Sequence, residues 1–287
     1  SQKGAPIVIK ADGLAAGKGV VVALTEKDAQ DAITSFMEDG KLGDAGKSLV
    51  IEEYLSGVEI SILAAVSVAP NDKCGCTYGD NVTIVPFVTA RDHKRLLDGA
   101  KGPNTGGMGA IAPVKDVTPE QLADFEKNIL QPTLKGMIEE KMDYRGFIFF
   151  GLMLTKNGPK LLEYNVRLGD PETQAVLPLM DFDFADMCQA IINGTLKDFD
   201  FKWKEGYSCA PVAISGGYPE SYKKGFEISI DKDEVEKSNT KIFIAGGNIK
   251  DDKLVTSGGR VLAASSIGST FEEAWENSYK ALKAVSF

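Results

Sequence analysis

The sequence predicts an α+β fold, and two observations carry that expectation. Runs of alternating apolar and polar residues, joined by short turns of Gly, Pro, Asn and Asp, read as strands in hairpins. Between them lie stretches with helical apolar spacing that open on Thr or Asp caps. At 287 residues the chain can bury a large core, enough for two or three domains.

Hydrophobic residues make up 43% and charged residues 25%, the balance of an ordinary globular protein. No apolar run approaches the roughly 20 residues of a membrane span, so no membrane association is expected. The net charge of −9 argues against non-specific nucleic-acid binding. An anionic ligand would need locally placed Lys and Arg. Nothing at the start reads as a signal peptide, and a cytoplasmic location is expected. Cys74 and Cys76 are too close for a usual zinc pair, and His93, the single histidine, is not near enough to suggest a finger. With Cys188 and Cys209 they read as reduced thiols. Ser1-Gln-Lys-Gly-Ala-Pro6 runs directly into a strand, so the chain reads as a fragment of something longer.

Residues 7–10 read as a buried strand ending at Lys10, and Val20–Leu24 as a second strand. Between them, Gly13, Gly17 and Gly19 with Lys18 form a Gly-rich loop that can lay N–H groups against phosphate oxygens. It is not a P-loop. The spacing from Gly13 to Gly17 is one residue short, Gly19 replaces the Ser or Thr, and a strand follows where a helix should. A flexible hairpin is the other reading of this loop.

Thr25 caps a helix expected to run to about Met37. Strands follow at 48–55 and 58–67, then a long hairpin loop at 68–83 and a return strand at 82–87. Residues 90–109 pack four basic residues, His93 and five glycines into a stretch that reads as a loop. Basic groups beside permissive backbone suit a phosphate-bearing ligand, although a solvated loop has the same composition. Thr118-Pro-Glu-Gln121 is a capping box with Pro at the first helical position. Tyr144–Thr155 is an apolar strand, and a turn at Lys156–Pro159 leads into a strand at 160–168. Asp183 opens a helix that Gly194 ends. From 205 on, strands at 208–215, 241–245, 254–256 and 260–264 and a helix at 270–285 read as a small α+β domain. Ser257-Gly-Gly-Arg260 reads as an anion-site signal.

The chemistry is best placed in the stretch Lys160–Gln174. Period-two alternation puts Leu161, Glu163, Asn165 and Arg167 on one strand face and Leu162, Tyr164, Val166 and Leu168 on the other, which is the natural core face. The oxygens of Glu163 and Asn165 suit Mg²⁺, whose octahedron phosphates and water would complete. Arg167 lies about 7 Å further on, where it could hold an oxyanion. Asp170 and Glu172 add carboxylates at the turn. A solvated strand face ending in an acidic turn is the alternative, and the two phosphate-suited segments upstream weigh against it.

Four stretches together resemble the phosphoribosylamine–glycine ligase (glycinamide ribonucleotide synthetase) family: 9–20, 51–55, 92–99 with 102–110, and 161–179. The resemblance runs from about residue 5 to residue 287. It implies an ATP-grasp fold, with a lid subdomain at 1–56, a large subdomain with the metal site at 57–196 and a C-terminal α+β domain at 197–287. It further implies that ATP phosphorylates glycine and that 5-phosphoribosylamine then attacks the glycyl phosphate, giving glycinamide ribonucleotide for purine synthesis.

By that resemblance, Lys10, Gly13, Gly17, Lys18 and Gly19 would cover the ATP phosphates. Glu52, Glu53, Tyr54 and Leu55 would form the adenine linker, and Glu59 would reach the ribose. Glu163 and Asn165 would hold Mg²⁺ or Mn²⁺, and Arg167 would steady the transferring phosphoryl. Asp92, His93, Lys94 and Arg95, with Asn104, Thr105, Gly106, Gly107 and Asp170, would wall the glycine and phosphoribosylamine. The family's N-terminal domain is expected to be missing, as a fused or contacting partner. Departures also include the chain's stop at Phe287, short of the family's last basic segment, the longer 68–83 segment and the unusual Ile244–Gly247. No acid stands on 144–154 to serve as a second metal carboxylate.

Overall fold

A computed structural model describes residues 4–15, 19–70, 77–79 and 81–287 of the chain. It divides into two compact units, Ser1–Gly57 and Val58–Phe287. Gly17, Lys18, Cys74 and Cys76 lie outside the described residues.

The first unit is a three-stranded antiparallel sheet of β1 (Ile7–Ala11), β2 (Val20–Ala23) and β3 (Leu49–Glu53), with β1 central. Alternation along β1 buries Ile9 against Ala23 and against Ala29, Ala32 and Phe36 of the following helical stretch. That helix, α1 (Glu26–Ile33), opens on a reciprocal capping box between Thr25 and Asp28. Such a cap contributes about 1 kcal/mol. The helix expected to reach Met37 loosens at Thr34 into a π-turn that ends at Glu38.

The second unit is built on an antiparallel sheet. Its strands are β4 (Val58–Val68), β5 (Thr83–Asp92), β6 (Arg95–Leu97), β7 (Lys101–Asn104), β8 (Gly109–Ala112), β9 (Tyr144–Thr155), β10 (Gly158–Asn165) and β11 (Tyr207–Ile214). Then come β12 (Ser229–Ile230), β13 (Thr240–Ile244), β14 (Gly247–Lys250), β15 (Lys253–Thr256), β16 (Arg260–Gly268) and β17 (Val285–Ser286). Eight of these form one sheet in the order β10-β9-β4-β5-β8-β11-β16-β13. Of the strands after residue 205, expected to make a sheet of their own, β11, β16 and β13 join this sheet through the β8–β11 pairing, while β12 with β17 and β14 with β15 form separate two-stranded sheets. Local periodicity carries no information about such distant pairing.

Both faces of β4 are covered, which is why it is buried from Ile60 to Val68. Ile60, Ile62, Ala64, Val66 and Val68 pack with Phe125, Leu130 and Met137 of the helical stretch from α2 (Pro119–Phe125) to α3 (Gln131–Glu139). The capping box predicted at Thr118 and Gln121 starts this stretch. Leu63 and Ala65, on the other face, pack with Val176 of α4 (Glu172–Val176) and Met187 and Ile191 of α5 (Phe184–Asn193). Asp183 caps α5, and Gly194 ends it in the left-handed conformation, both as the sequence predicts. The C-terminal strands carry α6 (Lys232–Lys237) and α7 (Phe271–Lys283).

Two further expectations need correction. Residues 90–109 are not a loop: β5 runs on to Asp92, and β6 and β7 form a hairpin before β8. The strand expected at 160–168 ends at Asn165. It also carries a bulge, because Leu161 pairs with Leu152 while Glu163 pairs with the adjacent Gly151. The extra residue, Leu162, reverses the alternation. Leu161 therefore joins the core with Leu152, and Glu163 and Asn165 turn to the opposite face, opposite Gly151 and Phe149. Val166, expected in the core, is 71% exposed.

Candidate functional site

One end of the α4-facing side of the sheet is polar. A single row across three strands runs from Ser61 through Gly151 to Glu163, by direct pairing. The middle position is crowded, since a Cβ at Gly151 would lie 3.1 Å from Glu163 Cγ and 3.3 Å from Phe149 Cε1. Glu59 stands two residues from Ser61 on the same face of β4. Asp92, at the end of β5, shares that face through its pairing with Ala110.

The charges are interlocked. Lys94 Nζ binds Glu59 Oε2 at 3.0 Å. Burial acts to lower the Lys94 pKa, but the charge and hydrogen bond of Glu59, with the charges of Asp92 and Glu163, together outweigh it and the net shift is upward. Asp92 is pushed up to about 7, by burial first and by the charge of Glu172 second, with Lys94 and Arg260 pulling the other way. Its Oδ1 is buried without a hydrogen-bond partner. Glu172, 4% exposed, accepts from Ser61 Oγ at 3.0 Å. Partial burial lowers the His93 pKa.

Beside this cluster, Asn165 Nδ2 donates to Glu163 Oε1 at 3.1 Å. Arg167 lies just past the strand, exposed, with Nη1 donating to the Leu168 carbonyl at 3.0 Å. Among the described residues no three His, Cys, Asp or Glu side chains come together as a metal cage. A carboxylate and a neighbouring amide suit Mg²⁺ all the same, since that ion usually keeps water and takes substrate phosphate oxygens. A half-turn of the Asn165 amide presents its oxygen beside Glu163.

The loop after β7 closes over Asp92. Gly107 has φ +114°, and a Cβ there would meet Pro171 Cδ at 2.4 Å and Asp92 Oδ1 at 2.7 Å. Only glycine allows that approach. Thr105 is pinned by N–H and hydroxyl donation to the Lys94 carbonyl. Arg95 donates to the Gly102 carbonyl across the hairpin, and Asn104 is its exposed partner in register. Arg260, read from sequence as an anion site, instead gives its guanidinium to the Asp170 carboxylate and the Gly106 carbonyl. Tyr218, which no sequence signal marked, accepts from Gly106 N–H at 2.8 Å. Ser61 was equally silent in the sequence.

In the first unit, Lys10 pairs with Glu52 at 2.6 Å. The described ends of the Gly-rich loop are held by Ala11 N–H to Gly19 O and Gly13 N–H to Ala45 O. Glu53 and Tyr54 are exposed and Leu55 is half-buried.

Comparison with known proteins adds an independent line. Residues 1–173 match the phosphoribosylglycinamide synthetase ATP-grasp (A) domain, and residues 208–287 match the C domain of the same synthetase. Over 282 residues the chain is 50% identical to a phosphoribosylamine–glycine ligase of Clostridium acetobutylicum, covering 98% of this chain and 64% of that protein. It is 47% identical to a bifunctional purine biosynthetic protein of Schizosaccharomyces pombe, spanning 34% of its length. The crystal structure of the Thermotoga maritima phosphoribosylamine–glycine ligase superposes with a TM-score of 0.79 at 36% identity, covering all of this chain and 68% of that one. A biotin carboxylase domain from Hydrogenobacter thermophilus, solved with MgADP, shares the fold at 16% identity and a TM-score of 0.61. The fold is ATP-grasp followed by the synthetase C domain, and the chain belongs to the phosphoribosylglycinamide synthetase family.

Proposed function

We propose that this chain carries the nucleotide, metal and substrate groups of an ATP-dependent ligase that joins glycine to 5-phosphoribosylamine. The chain spans 64% of the Clostridium relative's length, and the activity proposed is that of the whole protein. A glycine carboxylate oxygen takes the γ-phosphoryl of ATP and releases ADP. The amine of phosphoribosylamine then attacks the acyl carbon, phosphate leaves, and the nitrogen gives up a proton. Such a transfer is mostly positioning and charge neutralisation, which asks for lysines, an arginine and hard oxygen ligands rather than a nucleophile.

Each group has a role in this reading. Lys10 with the Gly13–Gly19 loop and Lys18 holds the ATP phosphates, and Glu52–Leu55 and Glu59 take the adenosine. Glu163 and Asn165 hold magnesium, or manganese, which when bound neutralises phosphate charge. Arg167 steadies the transferring group. Asp92–Arg95, Asn104–Gly107 and Asp170 wall the glycine and the phosphoribosylamine.

The observation that carries the reading is the polar end of the sheet, where Glu163 and Asn165 stand side by side on the face that also carries Glu59 and Asp92. The test is glycine-dependent formation of glycine hydroxamate from Mg-ATP and hydroxylamine, followed by glycinamide ribonucleotide formation with phosphoribosylamine. Hydroxamate formation with another carboxylate, and none with glycine, would move the chain to a different ATP-grasp ligase.

A further inference from the structure

The structure assigns Arg260 and Tyr218 a positioning role: together they fix the Thr105–Gly107 loop and the Asp170 carboxylate, so that residues of the C domain complete the substrate wall. The inference rests on the proposed function for what that wall binds. The clamp itself stands on geometry. Arg260 Nη1 donates to Gly106 O at 2.8 Å, Asp170 O at 3.0 Å and Asp170 Oδ1 at 3.2 Å, and Nη2 donates to Asp170 Oδ2 at 3.1 Å. One guanidinium thereby ties together segments 154 and 90 residues away in sequence. Tyr218 holds the other side of the same peptide residue, accepting from Gly106 N–H at 2.8 Å. Both the N–H and the C=O of Gly106 are thus committed to the C domain.

Thr105 and Met108 on either side are tied to the Lys94 and His93 carbonyls, which leaves the polar groups of Gly106 between them to the C domain. Gly106 is exposed, and its neighbour Gly107 takes a positive φ that an unrestrained chain populates among many others. A planar fork fixes a carboxylate in direction as well as distance. Counting acceptors on Asp170 sharpens the consequence. Among the described residues, Oδ1 receives Arg260 Nη1 and Gln174 Nε2, while Oδ2 receives only Arg260 Nη2. With two lone pairs per oxygen, Oδ2 keeps one acceptor direction. Asp170 is 51% exposed at its side chain, so that direction is open to a substrate N–H. Arg260 would decide where it points.

The test compares the chain with Arg260→Met, Arg260→Lys and Tyr218→Phe by amide hydrogen exchange and by the hydroxamate and full ligation assays. In Arg260→Met, exchange at 104–108 should rise at least about ten-fold while α7 and β9 keep their protection, since local opening is set by local contacts. Arg260→Lys keeps charge without the fork and should fall between. The KM for glycine or for phosphoribosylamine should rise at least about ten-fold in Arg260→Met, with the KM for ATP within about two-fold, as expected for loss of a substrate contact. Unchanged exchange at 104–108 overturns the clamp whatever the activity. Faster exchange with both amine-bearing substrates' KM values unchanged overturns the positioning role. If wild type forms no hydroxamate with glycine, the ligase reading falls and takes the substrate role with it, while exchange still decides the clamp.

Discussion

Ser61 Oγ and the buried carboxylate of Glu172 meet at 3.0 Å, 111 residues apart in sequence, on the strand row that leads to Glu163. The bond anchors α4, and with it the turn that carries Asp170, to the centre of the sheet. Ser61→Ala leaves a buried carboxylate short of a donor and is expected to cost about 1–3 kcal/mol. Chemical denaturation of the two proteins would measure it. A conservative Ser61→Thr change, which keeps the hydroxyl, should recover part of the loss.

Asp92 makes stability depend on pH in a defined direction. Its folded pKa of about 7 lies above the ordinary value of 3.8, because of burial and then the charge of Glu172. The folded chain thus holds a proton that the unfolded chain has shed. The associated stability is present below the ordinary value and is lost as pH rises through about 7. Relative to Asp92→Asn, wild type should lose about 2 kcal/mol between about pH 5 and pH 8. Thermal melts of both proteins across that range would show a gap that widens with pH.

Gly107→Ala tests the close approach of the loop to Asp92. The added methyl would have to displace Pro171 Cδ or Asp92 Oδ1, at a backbone angle of +114°. A loss of roughly 2 kcal/mol or more is expected, with weakened substrate binding. Denaturant midpoints and substrate KM values would read the two effects separately.

Gly136→Ala provides the opposite sign. This residue sits inside α3 with nothing within 4 Å of the added carbon. The substitution should stabilise the protein by about 0.5–1 kcal/mol through reduced unfolded-chain entropy and better helix propensity. Its melting temperature should rise with no change in ligation rate.

Glu163→Ala should abolish magnesium-dependent turnover while leaving the fold intact, since the side chain is exposed at the sheet edge. Removal of one of the few protein oxygens on a Mg²⁺ ion weakens its binding well beyond what extra metal restores. Titration of activity against magnesium, beside a melt, checks both halves.

The sequence reveals most where its signals are local. Thr25, Thr118 and Asp183 cap helices as their side chains predict, and Tyr144–Thr155 is a strand over its full predicted length. Long-range features are hidden. The bulge at Leu162 leaves no mark in an apolar–polar pattern, yet it decides which face Glu163 occupies. Arg260 looks like an anion site because its partner, Asp170, lies 90 residues away. Ser61 and Tyr218 acquire meaning only from what they touch. In the candidate site, Asp92, Lys94 and Glu59 are gathered by the fold into one charge cluster, and Glu163, Asn165 and Arg167 follow one another along the chain.

The four residues of β8 have neighbours on both sides, β5 through Arg91 and Asp92 and β11 through Ser208–Pro211. Shortening the chain to end before β11 would strip one flank of this small strand and leave its peptide groups bare. A raw margin of that kind invites pairing with other molecules. The Thr105–Gly107 loop, just upstream, would lose its mooring to Tyr218 and Arg260 in the same stroke, so β8 and the strands paired beyond it are expected to melt as one.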